Sequence, residues 1–157
     1  MRTERIRQTL AVFRSICLGA GSLSEDNKHQ VGAIVFRKNF QSIPAIAFNG
    51  NYPGGPNERD SQESGKSGYI HAEVNALLRA GLTPETAHAY AIMISMSPCT
   101  MCAKLIAASG IKSVFFIKLY QKDMGFLEVF KNADVKFVQL DVDPQKYPMH
   151  VIGHVLE

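Results

Sequence analysis

The sequence predicts an α/β fold, a largely parallel sheet with helices packed on its faces. Three observations predict it. After about residue 70, stretches of helical periodicity alternate with short apolar runs, the pattern of strands joined by crossover helices. Before that point an amphipathic helix and a strand hairpin precede a long polar segment. The third is size: 157 residues, 46% hydrophobic and 20% charged, suffice for one domain with a real core and are too few for two ordinary ones. The expected domain covers 1–157, with its core at about 28–140 and a C-terminal extension at 141–157.

Taken in order, Ile6, Leu10, Phe13 and Cys17 recur at three- and four-residue steps and place an amphipathic helix over about Glu4 to Leu18, with Gly19 and Gly21 ending it. Val31–Phe36 and Ile43–Phe48 are apolar runs joined by a polar turn at Arg37–Asn39, which reads as a strand hairpin. Pro44 near the start of the second run puts that strand at a sheet edge. Asn49 to Gly68 is the longest polar segment, rich in glycine and proline. A loop of this length in a compact domain is usually functional or disordered; its place just before His71 suggests a wall or lid, and its middle, Asp60 to Lys66, equally suits a mobile surface loop. Helices follow at Ile70–Ala80, Cys99–Ser109 and Gly125–Asn132, and strands at Tyr90–Met96, Ser113–Leu119 and Val135–Leu140. The tail from Asp141 reads as a weak C-terminal helix or an oligomer contact.

Bulk properties exclude several classes. No run of 18 apolar residues predicts a membrane span, and the charged start, Met1 to Arg7, has no apolar core of signal-peptide type behind it. The expected compartment is the reducing cytoplasm, where a cysteine pair suggests metal or catalysis before a disulfide. A net charge of +3 fits an anionic small substrate and is thin support for a nucleic-acid surface.

Two motifs carry chemistry: His71-Ala72-Glu73 and Pro98-Cys99-Thr100-Met101-Cys102. Cys99 and Cys102 fall in the first turn of a helix, on one side of it, and His71 starts the preceding one. Helix N-termini stabilise thiolates. Two such starts meeting at the carboxyl ends of strands would bring the three groups together, where open α/β sheets place their sites. One imidazole and two thiolates make three ligands for Zn²⁺ and leave a fourth position for water, the mark of a catalytic zinc. The set is neutral overall, and the proton affinity of a water held there falls from a pKa of about 15.7 toward roughly 7. Glu73 is not needed as a ligand and is free to move protons. A structural zinc knuckle or a redox C-x-x-C would explain the cysteines alone. The first needs a fourth ligand, which His29, His88, His150, His154 and Cys17 show no pattern to supply, and the second leaves His71 and Glu73 unexplained. Cys17 itself reads as a small buried core residue.

The stretches His71-Ala72-Glu73-Val74-Asn75-Ala76-Leu77 and Ser97-Pro98-Cys99-Thr100-Met101-Cys102-Ala103-Lys104 resemble the cytidine and deoxycytidylate deaminase superfamily, whose zinc signature is H-x-E followed by P-C-x-x-C. Asn75, the Asn49-Gly50 and Pro53-Gly54 stretch, Cys102–Ile106 with Ser109–Lys112, and Tyr120 through Val135 look most like the deoxycytidylate branch. The resemblance covers roughly residues 28 to 140. It implies a three-layer α/β/α sandwich with a five-stranded mixed sheet, one Zn²⁺ per chain, a homo-oligomer (dimer or hexamer), and hydrolysis of dCMP to dUMP and ammonia. It implies His71, Cys99 and Cys102 as zinc ligands and Glu73 as proton shuttle. The backbone N–H groups of Ala72 and Cys99 would position the ring, the Ser97 carbonyl would accept from the leaving amine, Asn49 would contact the sugar, and Tyr120 would border the pyrimidine. A turn asparagine and a core-edge tyrosine are the ordinary structural readings of the last two. Arg59, Lys66, Lys118 and Lys122 are phosphate candidates or plain surface charges. Residues 54–68 lack the cysteines with which some relatives hold a second zinc. Rival substrates are another cytosine nucleotide, such as dCTP or a modified dCMP, and adenosine in tRNA; a non-catalytic zinc module would have no use for Glu73.

Overall fold

The computed structural model describes residues 2–157. Strands β1 (Gly32–Arg37), β2 (Ala45–Phe48), β3 (Tyr90–Met96), β4 (Ser113–Lys118) and β5 (Lys136–Gln139) form one five-stranded sheet in the order β2-β1-β3-β4-β5. β1 pairs antiparallel with both β2 and β3, while β3–β4 and β4–β5 are parallel. The sheet is therefore mixed, as the family resemblance implies, and less parallel than the alternation of elements alone suggests. The hairpin folds back and its first strand, not its second, pairs with β3. β2 is consequently at an edge, which suits Pro44: a residue without an N–H group sits just ahead of a strand that has no outer neighbour to pair with.

Five helices cover the two faces: α1 (Thr3–Gly21), α2 (Ala72–Ala80), α3 (Thr100–Ser109), α4 (Phe126–Ala133) and α5 (Met149–Leu156). β3 and β4 are nearly continuous apolar runs because both their faces are buried. Ile92, Ile94, Val114 and Phe116 point to one core with Ala72 and Ala76 of α2, Ala103 and Ile106 of α3, and Phe126 and Phe130 of α4. The alternate residues Met93, Phe115 and Ile117 point to a second core with Leu10, Phe13 and Cys17 of α1 and Ile152 and Val155 of α5. Three layers result. The tail ends in a helix that packs Ile152 and Val155 into the second core. Among the described residues no helix is long and apolar enough to cross a membrane.

α1 runs through Gly19 to Gly21, past the end its glycines suggest. Gly19 lies on the open side with space around it, whereas Gly21 and Gly32 are where helix and strand backbones touch: a Cβ on Gly32 would stand 2.0 Å from the Cys17 carbonyl oxygen. Cys17 is buried there, donating toward the Gly32 and Met93 carbonyls, and burial pushes its thiol up to about 12. It is a core residue, as expected.

Gly32→Ala is accordingly expected to destabilise by at least the ~1–3 kcal/mol typical of overpacking. Gly19→Ala is expected to stabilise by ~0.5–1 kcal/mol, since it only removes glycine's entropic cost in a helix. Opposite shifts of the urea midpoint at unchanged slope check both.

Candidate metal centre and substrate cavity

β2 runs parallel to β3, because both are antiparallel to β1. The carboxyl ends of β2, β3 and β4 therefore share one edge of the sheet, together with the entry into β1. A cavity of about 290 Å³ opens at that edge. The chain around β1 supplies His29 and Val31 to its wall, the exit of β2 supplies Asn49, the exit of β3 Met96 and Ser97, and the exit of β4 Tyr120. Its floor is formed by His71, Ala72, Glu73 and Cys99.

His71 and Cys99 are the extended residues that immediately precede α2 and α3. The two helix starts lie side by side on one face of the sheet, with Ala72, Ala76, Ala103 and Ile106 packed in the same core. Cys99 caps α3, its sulfur accepting from the Cys102 N–H at 3.4 Å, and Cys102 follows in the first turn. His71 Nδ1 is 3.6 Å from Cys99 Sγ and 3.3 Å from Cys102 Sγ. A zinc ion held tetrahedrally at about 2.0–2.1 Å from nitrogen and about 2.3 Å from sulfur would separate those atoms by roughly 3.6 Å. The donor set fits the metal in kind and in spacing. Among the described residues no fourth His, Cys, Asp or Glu joins the three.

The three groups are linked by shared protons. A hydrogen bond from Cys102, opposed by burial and aided by His71, pulls the Cys99 thiol down to about 4. The same bond and burial push Cys102 up, and His71 is raised by its bond to Cys99 against burial. Glu73 is 4% exposed, and burial lifts its carboxyl to about 6 despite the bonds and charges that oppose it.

The rest of the wall is a hydrogen-bonded frame. Asn49 donates to the His29 carbonyl at 2.8 Å and to Asp26 at 3.2 Å, and accepts from the Val31 N–H at 2.8 Å. It lines the cavity, yet both its amide protons are engaged within the chain. Asp26 accepts from Arg59 at 2.7 Å on both oxygens; the two side chains are only 4% (Arg59) and 2% (Asp26) exposed. The polar segment is pinned at its base by paired bonds between Gly50 and Ile70, so α2 begins at Ala72 and not at Ile70. It is tied across the cavity by Lys122, which donates to Ser64. Gly68, at φ +77°, abuts the Asp60 carboxylate, where a Cβ would lie 1.9 Å from Oδ2. The segment is a wall, as one of its two readings has it.

Ser97 accepts from the Tyr120 N–H through its hydroxyl at 2.7 Å, and Tyr120 meets His29 edge to face at 5.9 Å. Asp123 accepts from Thr100 N–H and Oγ at 2.9 and 2.6 Å, joining the β4 exit to the start of α3. Of the four phosphate candidates, Arg59 and Lys122 line the cavity. Lys66 is exposed and paired with Glu63 at 3.0 Å, and Lys118 lines a neighbouring cavity. Asp26, Asp123 and the wall role of His29 are absent from the sequence reading. No local spacing links Asp26 to Arg59, 33 residues away.

The family model described as "Cytidine and deoxycytidylate deaminase zinc-binding region" matches residues 7–118. The chain belongs to this family of zinc-dependent hydrolases, and His71, Cys99 and Cys102 are its zinc site. It is 37% identical over 68 residues to the deoxycytidylate deaminase of Enterobacteria phage T2, which is 43% of this chain and 36% of that protein. An uncharacterized deaminase of Aliivibrio fischeri is 35% identical over 134 residues, 78% of this chain and 87% of that one. The chain spans about a third of the length of the phage relatives that it matches. In fold it is similar to the dCMP deaminase of cyanophage S-TIM5, solved in complex with dCMP and dUMP, with a TM-score of 0.67 at 24% identity over 82% of this chain and 94% of that one.

Two measurements follow from this electrostatics. Zinc uptake is expected to release protons and to weaken as pH falls, because the ligands are a neutral imidazole and two thiolates; calorimetric titration in buffers of different ionisation heat reads this. Burial would raise the Asp26 carboxyl, but bonds from Arg59 and from the Lys28 and His29 backbone hold it below its usual value. Its contribution to stability is present above the unfolded pKa of about 3.9 and is lost as pH falls through the lower folded value. Asp26→Ala, which leaves Arg59 without an acceptor, is expected to cost ~3–5 kcal/mol near neutrality, and the gap to wild type should narrow only below about pH 4.

Proposed function

We propose that this chain deaminates deoxycytidylate, converting dCMP and water to dUMP and ammonia. The observation that carries the reading is a three-ligand zinc set without a fourth protein ligand among the described residues, beside a buried, proton-accepting carboxyl, at the floor of a cavity whose wall includes Lys122. A bound zinc would supply Lewis acidity, making a water nucleophilic near neutral pH.

Glu73 is the proton carrier in this reading. With a pKa near the operating range, it can accept a proton from the attacking water and deliver it to the ring nitrogen, then take the second from the hydroxyl left on the ring carbon and pass it to the departing amine. Its burial is what makes one carboxyl competent for both directions. The N–H groups of Ala72 and Cys99, at two helix starts, orient the ring; the Ser97 carbonyl accepts from the leaving amine; Tyr120, braced by Ser97 and His29, borders the pyrimidine. Asn49 shapes the sugar's surroundings from within its frame. Lys122 meets the phosphate. The small cavity favours a nucleotide over an RNA strand, and the cytosine nucleotide over adenosine in tRNA also accords with a net charge of only +3. We infer one domain acting in the cytoplasm, as a homo-oligomer.

Glu73→Gln is expected to lower kcat on dCMP by at least the ~10²–10⁴-fold worth of general acid–base catalysis while zinc content and fold are retained. Loss of ultraviolet absorbance on dCMP, dCTP, deoxycytidine and adenosine, with metal analysis of the same samples, reads both. Zinc-loaded wild type that converts none of the four overturns the proposal, and a Gln variant as active as wild type removes Glu73 from the chemistry.

A further inference from the structure

The phosphate end of the cavity contains an ion pair that the deamination mechanism does not use. Arg59 lines the cavity, and its guanidinium donates to both Asp26 oxygens and, through Nε, to the Ser61 carbonyl at 2.9 Å. Both side chains are almost wholly buried. The two come from separate segments, the α1–β1 connection and the wall loop. A buried pair of this kind is weak evidence for stability, since desolvating both charges offsets most of their attraction. Its effect on the field in the cavity is plainer. Asp123 is engaged with Thr100 and Gly125. His29, whose Nε2 is buried and unpartnered, is held toward its neutral form by burial and the nearby cations. Lys122 is left as the cation lining this end without a carboxylate partner among the described residues.

We propose that Asp26 is a specificity-determining residue that cancels the charge of Arg59 and thereby restricts the site to substrates bearing one phosphate. The inference rests on the dCMP reading. Without Asp26, two cations would face the substrate tail, and a second phosphate would gain a counter-charge. With Asp26 in place, a second phosphate meets a neutral pair and must shed its own hydration with nothing to replace it. Arg59 is thus a charge held in check and not itself the phosphate ligand. The neutral His29 can donate to a phosphate oxygen without adding charge.

The test is the ratio of kcat/KM for dCDP to kcat/KM for dCMP, measured in wild type, Asp26→Asn, Arg59→Gln and the double variant. Asparagine keeps an acceptor for Arg59 and glutamine keeps a donor for Asp26, so each single variant changes the charge and largely preserves the contact. Zinc content and far-ultraviolet circular dichroism select the folded variants. The ratio is expected to rise about tenfold in Asp26→Asn, the effect of one partly screened charge, to fall in Arg59→Gln, and to return near wild type in the neutral double variant. An ordering by net charge is what a strut cannot produce: loss of a merely structural pair would move both single variants the same way, or lower both substrates equally. The order is readable from wild type and either single variant. Wild type that converts dCMP but shows a ratio unmoved by these changes, or that prefers dCDP, overturns this inference and leaves the deaminase reading standing. Wild type that converts neither nucleotide overturns both.

Discussion

The site depends on bringing two sulfurs to within 3.3–3.6 Å of one imidazole nitrogen, from the starts of two different helices. Everything around the triad serves that approach. His71 and Cys99 each stand just ahead of a helix, in extended backbone, so that their side chains project past the helix ends. The helices hold that position because their alanine-rich inner faces, Ala72 and Ala76 against Ala103, let them sit close on the same side of the sheet. Larger residues at those points would spread the helices and open the ligand set. The Cys102 N–H, in the first turn of α3, then donates to the Cys99 sulfur.

The same edge of the sheet explains why the cavity is where it is. β1 lies between β2 and β3 and runs opposite to both, so the exits of three strands and the entry of a fourth converge. Each contributes a side chain that neither core could accommodate: Asn49, Ser97, Tyr120 and His29. Asn49 and Ser97 are held by hydrogen bonds to neighbouring backbone and to Asp26, which fixes the wall without filling the cavity. The wall loop follows the same logic. Its base is zipped at Gly50 and Ile70, and its middle is held by Arg59 on Asp26 and by Lys122 on Ser64. Burial then acts differently on each group it encloses. It raises Glu73 toward neutrality, where a carboxyl can both give and take a proton, while Asp26, equally enclosed, stays charged because a guanidinium and two backbone N–H groups oppose the same effect. Two buried carboxyls 47 positions apart thus end in opposite roles through their partners alone.

Much of this was legible in the chain. Helix and strand periods after residue 70, the hairpin with its edge proline, and the joint H-x-E and P-C-x-x-C motifs are all patterns over a few residues, set by backbone repeat and by the short reach of a metal ligand. They determined the class of fold, the metal and its three ligands, and the carboxyl beside them. What the alternation could not specify was that β1 runs antiparallel to β3, which makes the sheet mixed. Nor could composition sort the cations: Arg59, Lys66, Lys118 and Lys122 are alike as residues and differ in surroundings. One is buried on an acid, one exposed beside Glu63, one in a neighbouring cavity, one on the cavity wall. The tertiary structure alone decided those placements, and with them the Asp26–Arg59 pair and the place of His29. They depend on contacts between segments distant in the chain, and such contacts are set by how the layers pack, not by any local repeat.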